Sequence, residues 1–282
     1  MLLINAENLV LILLGLIWCV GAVMQDLRRR EVDNLWNFSL IFFALAYRAF
    51  VSIGVGDYWF LLNGFIGLVI FVILGNLFYY ARLFAGGDAK LLIALGVILP
   101  LSYDWIINFK IFGLFIVLFL SLGSIWAILY SFYMIYLNWK SFKNAWKKYW
   151  KALKALVYLF VIFAVVWTLI VYWISQEFLI LIGLVVLLFP ILLIFAKSVE
   201  KVMIRKVSPK DLTEGEWLNE ELKVGGKIIK PCWEGVSARH LKLIKEKYRR
   251  KISIKVGIPF TPSFLFALIG LLIMFWKYRS WF

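Results

Sequence analysis

Apolar runs of roughly 20 residues recur along most of this chain, and that is about the length an α-helix needs to cross the hydrocarbon core of a bilayer. Hydrophobic residues make up 64% of the 282 positions and charged residues only 17%. The mean hydropathy is +0.90. This composition is typical of an integral membrane protein. We therefore predict an all-α polytopic membrane protein.

The positions of the apolar runs predict about eight transmembrane helices. The fourth run, Leu91–Pro100, reaches full length only if the chain continues as a helix to Ile107. The predicted spans are Leu9–Met24, Leu35–Ile53, Trp59–Tyr80, Leu91–Ile107, Ile111–Leu137, Leu156–Ile174, Phe178–Phe195 and Phe260–Trp276.

Basic residues lie mainly in the odd-numbered connections between these runs. The first connection carries Arg28–Arg30, and the third carries Arg82 and Lys90. The fifth contains six lysines within Lys140–Lys154. Because Lys and Arg are retained on the cytoplasmic side of short loops, we expect these connections inside and the N-terminus outside. The net charge of +15 then indicates cytoplasmic loops facing anionic lipid rather than nucleic acid.

One long polar stretch, Lys197–Gly257, interrupts the apolar pattern before the last predicted span. Within it, Leu222–Lys230 predicts a two-stranded hairpin, and Ser237 is expected to cap a helix running towards Arg250. The predicted organisation is a membrane domain over residues 1–197, a small cytoplasmic α+β insertion over residues 198–258, and a final helix with an external tail over residues 259–282.

Two aspartates, Asp26 and Asp88, stand at the ends of apolar runs, and each is followed within four residues by Arg or Lys. An acid at the mouth of a span is costly to keep, which indicates a function. The predicted topology places both at the cytoplasmic face. Two carboxyl groups that share a site share one proton, so one can donate while the other accepts, and a water between them can attack an amide.

A third aspartate, Asp57, follows a literal Gly-x-Gly at Gly54–Gly56. It lies in the second connection, which the topology places outside, about a bilayer thickness of roughly 30 Å from Asp26. We therefore expect Asp57 to belong to a solvated turn.

Two blocks of sequence resemble the type IV prepilin peptidases and their archaeal relatives, the preflagellin peptidases, which are membrane aspartyl proteases. The first block is Asp26–Asn34, an acid followed by basic residues, a hydrophobic residue and Asn. The second is Gly86–Gly96, in which Gly-Gly-Asp-x-Lys opens an apolar run. The resemblance implies that Asp26 and Asp88 are the catalytic pair. It further implies that Gly86 and Gly87 let the backbone approach and that Lys90 sets the local field or meets lipid headgroups.

The resemblance also implies the substrate, a pilin-like or archaellin precursor whose short basic leader is cut at the cytoplasmic face. Glu31 and Asp33 could hold such a leader, as could an acidic cluster in the polar stretch. That cluster consists of Asp211, Glu214, Glu216, Glu220 and Glu221. We expect no cofactor and no metal site, because the chain has only two cysteines and one histidine.

Two departures from the family pattern stand out. Ala85 replaces the first Gly of the Gly-x-Gly-Asp motif. The paired Cys-x-x-Cys motifs of the bacterial enzymes are also absent. In this second respect the chain resembles the archaeal branch of the family, and the resemblance implies a peptidase without methyltransferase activity.

Other readings stay open at this stage. A proton- or cation-coupled transporter could use the interfacial aspartates as ion sites. A non-catalytic scaffold of a secretion or pilus assembly would not need both acids. Presenilin-type proteases carry a Tyr-Asp pair inside a span, whereas Gln25 precedes Asp26 here. The sequence distinguishes neither archaellin from pilin substrates nor any oligomeric state.

Overall fold

The computed structural model describes residues 6–174 and 180–277. These residues divide into two compact units. One unit contains the described residues up to Leu129 and those from Ile258 onward, and the other runs from Tyr130 to Gly257. The division falls within a long helix, and each unit is described below by itself.

The described residues are mainly helical. In chain order the helices are α1 (Ala6–Arg29), α2 (Asn34–Val55), α3 (Trp59–Tyr80), α4 (Gly86–Leu95), α5 (Trp105–Leu137), α6 (Trp139–Ile174), α7 (Ile180–Val202), α8 (Ala238–Lys247) and α9 (Pro262–Lys277). The strands are β1 (Ile204–Val207), β2 (Trp217–Leu218), β3 (Leu222–Val224), β4 (Lys227–Ile229) and β5 (Ile252–Lys255).

Five of the described helices, α1, α2, α3, α5 and α6, are long and apolar enough to cross a membrane. Helix α9 is also apolar but has only 16 residues. Recurring apolar runs thus give several membrane-length helices, and the prediction of a polytopic helical membrane protein is confirmed. The number of spans stays a prediction.

Short turns connect the first three helices and place them side by side in antiparallel order. Arg30, just after α1, has φ +63°, and Gly56, just after α2, has φ +73°. A residue in this left-handed region ends a helix because the helical hydrogen-bond ladder cannot continue through it. As a result, residues 30–33 and residues 56–58 lie at opposite ends of α2.

The predicted fourth span, Leu91–Pro100 with its continuation to Ile107, is wrong in its second half. Helix α4 ends at Leu95, and the next regular element begins at Trp105. Residues 97–101 are buried although they are not helical. Buried backbone outside a helix needs hydrogen-bond partners from the protein. The apolar run therefore indicated burial correctly, but it did not indicate a continuous helix.

Asn8 on α1 donates to the carbonyl of Leu101, and Arg48 on α2 supplies partners for carbonyl groups before Leu101. The Arg48 side chain is fully buried. Its Nε donates to the carbonyl of Val97 at 2.9 Å, and its Nη2 donates to the carbonyl of Pro100 at 2.7 Å. The Nη1 donates to the carbonyl of Phe60 at 2.7 Å, and the guanidinium lies over the Phe60 ring. One cation thus holds α2, the start of α3 and the chain after α4 together.

Helices α3 and α4 approach closely because glycine stands at their contact. A Cβ on Gly67 would overlap the carbonyl oxygen of Gly96 and the ring of Pro100. A Cβ on Gly96 would in turn overlap Phe71. Small residues let membrane helices pack at short distance, which van der Waals contact then stabilises. This contact fixes α4, and with it Asp88 in its first turn.

We expect Gly67→Val to lower the free energy of unfolding by about 2 kcal/mol or more, because the added side chain has no space and overpacking forces the helices apart. The measurement is unfolding of the detergent-solubilised protein. Gly113→Val is the matched control, since a Cβ at Gly113 meets nothing within 4 Å. Equal stability of the two variants would contradict the close contact between α3 and α4.

The second unit combines helices with two small antiparallel sheets. One sheet has the strand order β1-β5-β2, and the other is the β3–β4 hairpin. Gly225 and Gly226 have φ +56° and +79°, as a type I′ turn requires. The predicted hairpin at Leu222–Lys230 is thereby confirmed. Leu212, Ile244 and Ile252 lie in the core beneath these elements.

Helix α8 confirms the predicted capping by Ser237, whose hydroxyl accepts a hydrogen bond from the backbone N–H of His240. The helix ends at Lys247, short of the predicted Arg250, because Tyr248 is extended. The predicted connection Ser175–Glu177 and the external tail from residue 278 lie outside the described residues, as does the first part of the predicted span Phe178–Phe195.

Candidate active site

Asp26 lies in the last turn of α1, and only 7% of the residue is exposed. Its Oδ2 accepts two hydrogen bonds from Thr261, one from the backbone N–H at 3.1 Å and one from the hydroxyl at 2.9 Å. The charge of Arg30 also acts on this carboxyl group. Thr261 immediately precedes α9. The end of α1 and the start of α9 thus meet at Asp26.

Asp88 lies in the first turn of α4 and is half-buried. Its carboxyl group interacts with the backbone N–H of Ala85, the residue that precedes the helix. An acid in this place stabilises a helix, because the first turn leaves backbone N–H groups unpaired. Ala85 has φ −71° and ψ 161°, a conformation that any residue adopts. This explains why Ala can stand where the resembling family has Gly.

Asp26 and Asp88 come from distant parts of the sequence, yet the charge of Asp26 acts on Asp88. Two further contacts join the same two blocks. Lys90 Nζ donates to Asn34 Oδ1 at 2.6 Å, and Asn37 Nδ2 donates to the carbonyl of Gly87 at 3.3 Å. Both contacts run from α2 to α4. The first turn of α2 therefore aligns the segment that carries Asp88 beside the end of α1.

The structure gives a different account of Gly86 and Gly87 from the predicted one. A Cβ on Gly87 would lie 3.6 Å from the backbone nitrogen of Val32, and a Cβ on Gly86 would lie 3.9 Å from the Tyr79 ring. Both distances are ordinary van der Waals contacts. Close packing within this chain therefore does not require glycine at either position.

Glu31 and Asp33 lie in the short connection between α1 and α2, and both are exposed. Asp33 Oδ2 is 3.7 Å from Arg29 Nη1. An exposed pair of this kind contributes little to stability. This connection follows the turn of α1 that carries Asp26, so both acids can exchange their partners for those of a ligand.

The acidic cluster of the polar stretch lies in the second unit, and much of it serves that unit's own backbone. Glu214 Oε1 accepts a hydrogen bond from the N–H of Ala238, and Glu216 Oε2 accepts one from the N–H of Thr213. Glu221 is paired with Lys230 at 3.9 Å. These contacts give the acids a structural role.

Asp57 lies between α2 and α3, and its Oδ1 accepts a hydrogen bond from the N–H of Trp59 at 2.9 Å. This contact starts α3. Helix α2 has 22 residues and is therefore about 33 Å long at roughly 1.5 Å per residue. Since Asn34, at the other end of α2, contacts Lys90, Asp57 is remote from the two facing acids.

Sequence reasoning missed Thr261 and Asn37. Thr261 contacts Asp26 across 235 positions of sequence, and a Thr before a helix is ordinarily read as its cap. Asn37 is fully buried, and its Oδ1 has no hydrogen-bond partner in the described part of the chain. An amide in an apolar run, one turn after Asn34, was the available signal.

A metal site is not evident at this place or elsewhere in the described ranges. Within residues 6–174 and 180–277, no three His, Cys, Asp or Glu side chains are grouped so that they could hold a metal ion. Cys19 is buried in the first unit, and Cys232 is exposed in the second. Two facing carboxyl groups in a half-buried setting can activate water without a metal.

Together, the membrane-length helices and the interacting aspartates describe a polytopic membrane protein with a candidate paired-carboxyl site. Residues 13–132 match the model of the type IV leader peptidase family. This match is less than half of the chain, and it contains both Asp26 and Asp88. The predicted resemblance to this family is therefore confirmed over that region.

Two curated relatives cover part of the same chain. A preflagellin peptidase of Methanococcus maripaludis is 37% identical over 89 residues, which are 31% of this chain and 38% of the relative. A preflagellin peptidase of Methanocaldococcus jannaschii is 28% identical over 88 residues, 31% of this chain and 37% of the relative. The chain thus matches less than two fifths of the length of either relative. No solved structure matches the chain.

Proposed function

We propose that this protein is a membrane aspartyl endopeptidase that removes the basic leader from type IV pilin-like precursors, archaellins or pilins. The observation that carries the proposal is that the charge of Asp26 acts on Asp88, inside the region that matches a leader peptidase family. Asp26 and Asp88 are the catalytic pair in this proposal. Lys90 holds the first turn of α2 through Asn34 and adds positive charge beside Asp88.

The chemistry follows from one proton shared by the two carboxyl groups. The ionised carboxylate takes a proton from a water molecule, whose oxygen forms a bond to the scissile carbonyl carbon. The protonated carboxyl gives its proton to the carbonyl oxygen, and a gem-diol results. The first carboxyl then protonates the leaving amide nitrogen as the C–N bond breaks. The second carboxyl regains its proton from the collapsing diol.

The proposed topology has about eight spans, with the N-terminus outside. Arg28–Arg30, close to Asp26, supports a cytoplasmic position for the active site, because the connection at Gly54–Tyr58 carries no basic residue. We propose the boundaries at residues 197 and 258 for the cytoplasmic segment. Anionic lipid headgroups are the proposed neighbours of the basic connections.

Glu31 and Asp33 are proposed to hold the basic leader, since both are exposed and lie in the connection that follows Asp26 and the end of α1. We expect the double change Glu31→Lys with Asp33→Lys to raise KM for a basic-leader precursor by roughly 10-fold, because each exposed ion pair contributes at most about 1 kcal/mol. The kcat should change little. Cleavage kinetics on the basic-leader precursor provide the measurement.

A precursor with an uncharged leader is the matched control for this prediction. Its KM should be the same for the original protein and for the double variant. If KM for the basic-leader precursor is unchanged, or if KM rises equally for both precursors, Glu31 and Asp33 do not recognise the leader.

The proposed activity is tested by incubating the detergent-solubilised protein with a precursor that has a basic leader ahead of an apolar helix. We expect two products whose masses place one cut between the leader and the apolar segment. Cleavage should continue in the presence of EDTA, since the proposed chemistry uses no metal. Failure to cleave either pilin-like or archaellin-like precursors in detergent and in lipid vesicles would refute the proposal.

A further inference from the structure

Thr261 makes the two carboxyl groups unequal. Asp26 Oδ2 accepts hydrogen bonds from both the N–H and the hydroxyl of this one residue. Among the described contacts, Asp88 has the backbone N–H of Ala85 near its carboxyl group. Hydrogen bonds donated to a carboxylate favour its ionised form. The backbone of Phe260 also acts on Asp26. Asp26 therefore has more donors than Asp88 among the described contacts, and the Thr261 hydroxyl is the one that a substitution can remove.

Other charged groups and dipoles act on both acids. Asp88 lies at the N-terminus of α4 with Lys90 two residues further on, and both favour a negative charge there. Asp26 faces the N-terminus of α9 through Thr261, which favours a negative charge, and lies in the last turn of α1, whose dipole opposes one. Asp26 also has the positive charge of Arg30 close by. The only charged residue described on α9 is Lys277, at its far end.

We propose that Thr261 is a positioning residue that keeps Asp26 as the ionised member of the pair, so that Asp26 is the general base and Asp88 carries the shared proton. This inference rests on the proposed function. The Thr261 hydroxyl would normally be free to cap α9, and here it is committed to Asp26 instead. Pro262 occupies the first helical position, where its missing N–H costs least.

The geometry also fixes how the base is presented. Both Thr261 donors act on Oδ2, so Thr261 leaves Oδ1 available to take a proton from water. Asp26 is only 7% exposed, so the surrounding protein restricts rotation of its carboxyl group. Thr261 therefore determines both the charge of Asp26 and the oxygen that reacts.

The test is the pH dependence of kcat/KM for precursor cleavage by the full-length protein and by Thr261→Val, which removes the hydroxyl and keeps the shape and the backbone N–H. A base must be deprotonated to act, so activity rises with pH on the acidic limb. Loss of a donor to the carboxylate makes deprotonation harder. We expect the acidic limb to move to higher pH by about one unit, with the alkaline limb unchanged.

Two variants make this test specific. Thr261→Ser restores a hydroxyl and should restore the original acidic limb. Ser263→Ala removes a buried hydroxyl from the same segment. Because the Ser263 hydroxyl has no partner among the described residues, its loss should leave both limbs in place.

Three results would overturn the inference. Movement of the alkaline limb in Thr261→Val would assign the shared proton to Asp26 instead. An unchanged profile would show that the hydroxyl does not set the charge of Asp26. If the original protein cleaves no precursor at any pH, the proposed function and this inference both fail. If it cleaves and the acidic limb of Thr261→Val does not move, only this inference fails.

Discussion

Replacing either Asp26 or Asp88 by Asn is expected to lower kcat for precursor cleavage by at least about 1000-fold, because an amide can neither take nor give the proton that the reaction moves. Asn keeps the size of Asp, so the packing around each residue should survive. Thr261 can still donate a hydrogen bond to the amide oxygen at position 26. The measurement is single-turnover cleavage of a basic-leader precursor.

Asp57→Asn is the matched control for this pair. Asp57 follows the literal Gly-x-Gly, but its carboxylate accepts the N–H of Trp59 at the start of α3 and interacts with the Tyr103 hydroxyl. An amide oxygen can accept the same bond, so cleavage should stay within a few-fold of the original rate. A large loss in Asp57→Asn with little loss in Asp88→Asn would reverse the assignment. Undiminished cleavage by both Asp26→Asn and Asp88→Asn would exclude an aspartyl mechanism.

Of the substitutions proposed here, Arg48→Met is expected to lower the free energy of unfolding of the first compact unit the most. Three carbonyl groups, those of Phe60, Val97 and Pro100, accept hydrogen bonds of 2.7–2.9 Å from this side chain. A buried carbonyl left without a donor costs about 1–3 kcal/mol. Part of that cost is offset because no cation has to be buried in the variant. We expect a net loss of about 3 kcal/mol or more in the free energy of unfolding.

Arg48→Lys and Arg239→Met are the controls for this prediction. Lys keeps the charge but cannot reach three separate carbonyls from one nitrogen. The free energy of unfolding of Arg48→Lys should therefore lie between that of the original protein and that of Arg48→Met. Arg239 is exposed on α8, and its replacement should change stability by no more than about 0.5 kcal/mol. Unfolding in detergent measures all three. A stability of Arg48→Met equal to that of Arg239→Met would contradict the role of Arg48.

The loss of Arg48 should also reach the active site. Residues 97–101 follow α4 directly, and α4 carries Asp88 in its first turn. If Val97 and Pro100 lose this partner, α4 is held by its packing against α1, α2 and α3 alone at this end. Reduced cleavage by Arg48→Met at a temperature where it is still folded would show this coupling.

The sequence allowed Asp26 and Asp88 to be singled out because their signal is local. Each acid stands near a basic residue at the end of an apolar run, and the charge pattern of the connections predicts one membrane face for both. The β3–β4 hairpin was predictable for a similar reason, since Gly225-Gly226 specifies the turn by itself. Features determined by neighbouring residues are readable without a structure.

Features determined by distant residues were not readable. Nothing near Arg48 in the sequence shows that its partners are carbonyl groups after α4, and the apolar run Leu91–Pro100 gives no sign that the helix stops at Leu95. The contact from Thr261 to Asp26 likewise depends on how α9 meets α1. Burial is encoded by composition, whereas the partner of a buried polar group is encoded by the fold.

The most direct test of the central claim is a double-variant cycle on cleavage rate with Asp26→Asn, Asp88→Asn and the two changes combined. If the two carboxyl groups form one catalytic unit, the combined variant should be no slower than either single variant, because losing one partner already disables the other. Losses that multiply in the combined variant, or substantial cleavage by either single variant, would contradict a shared site.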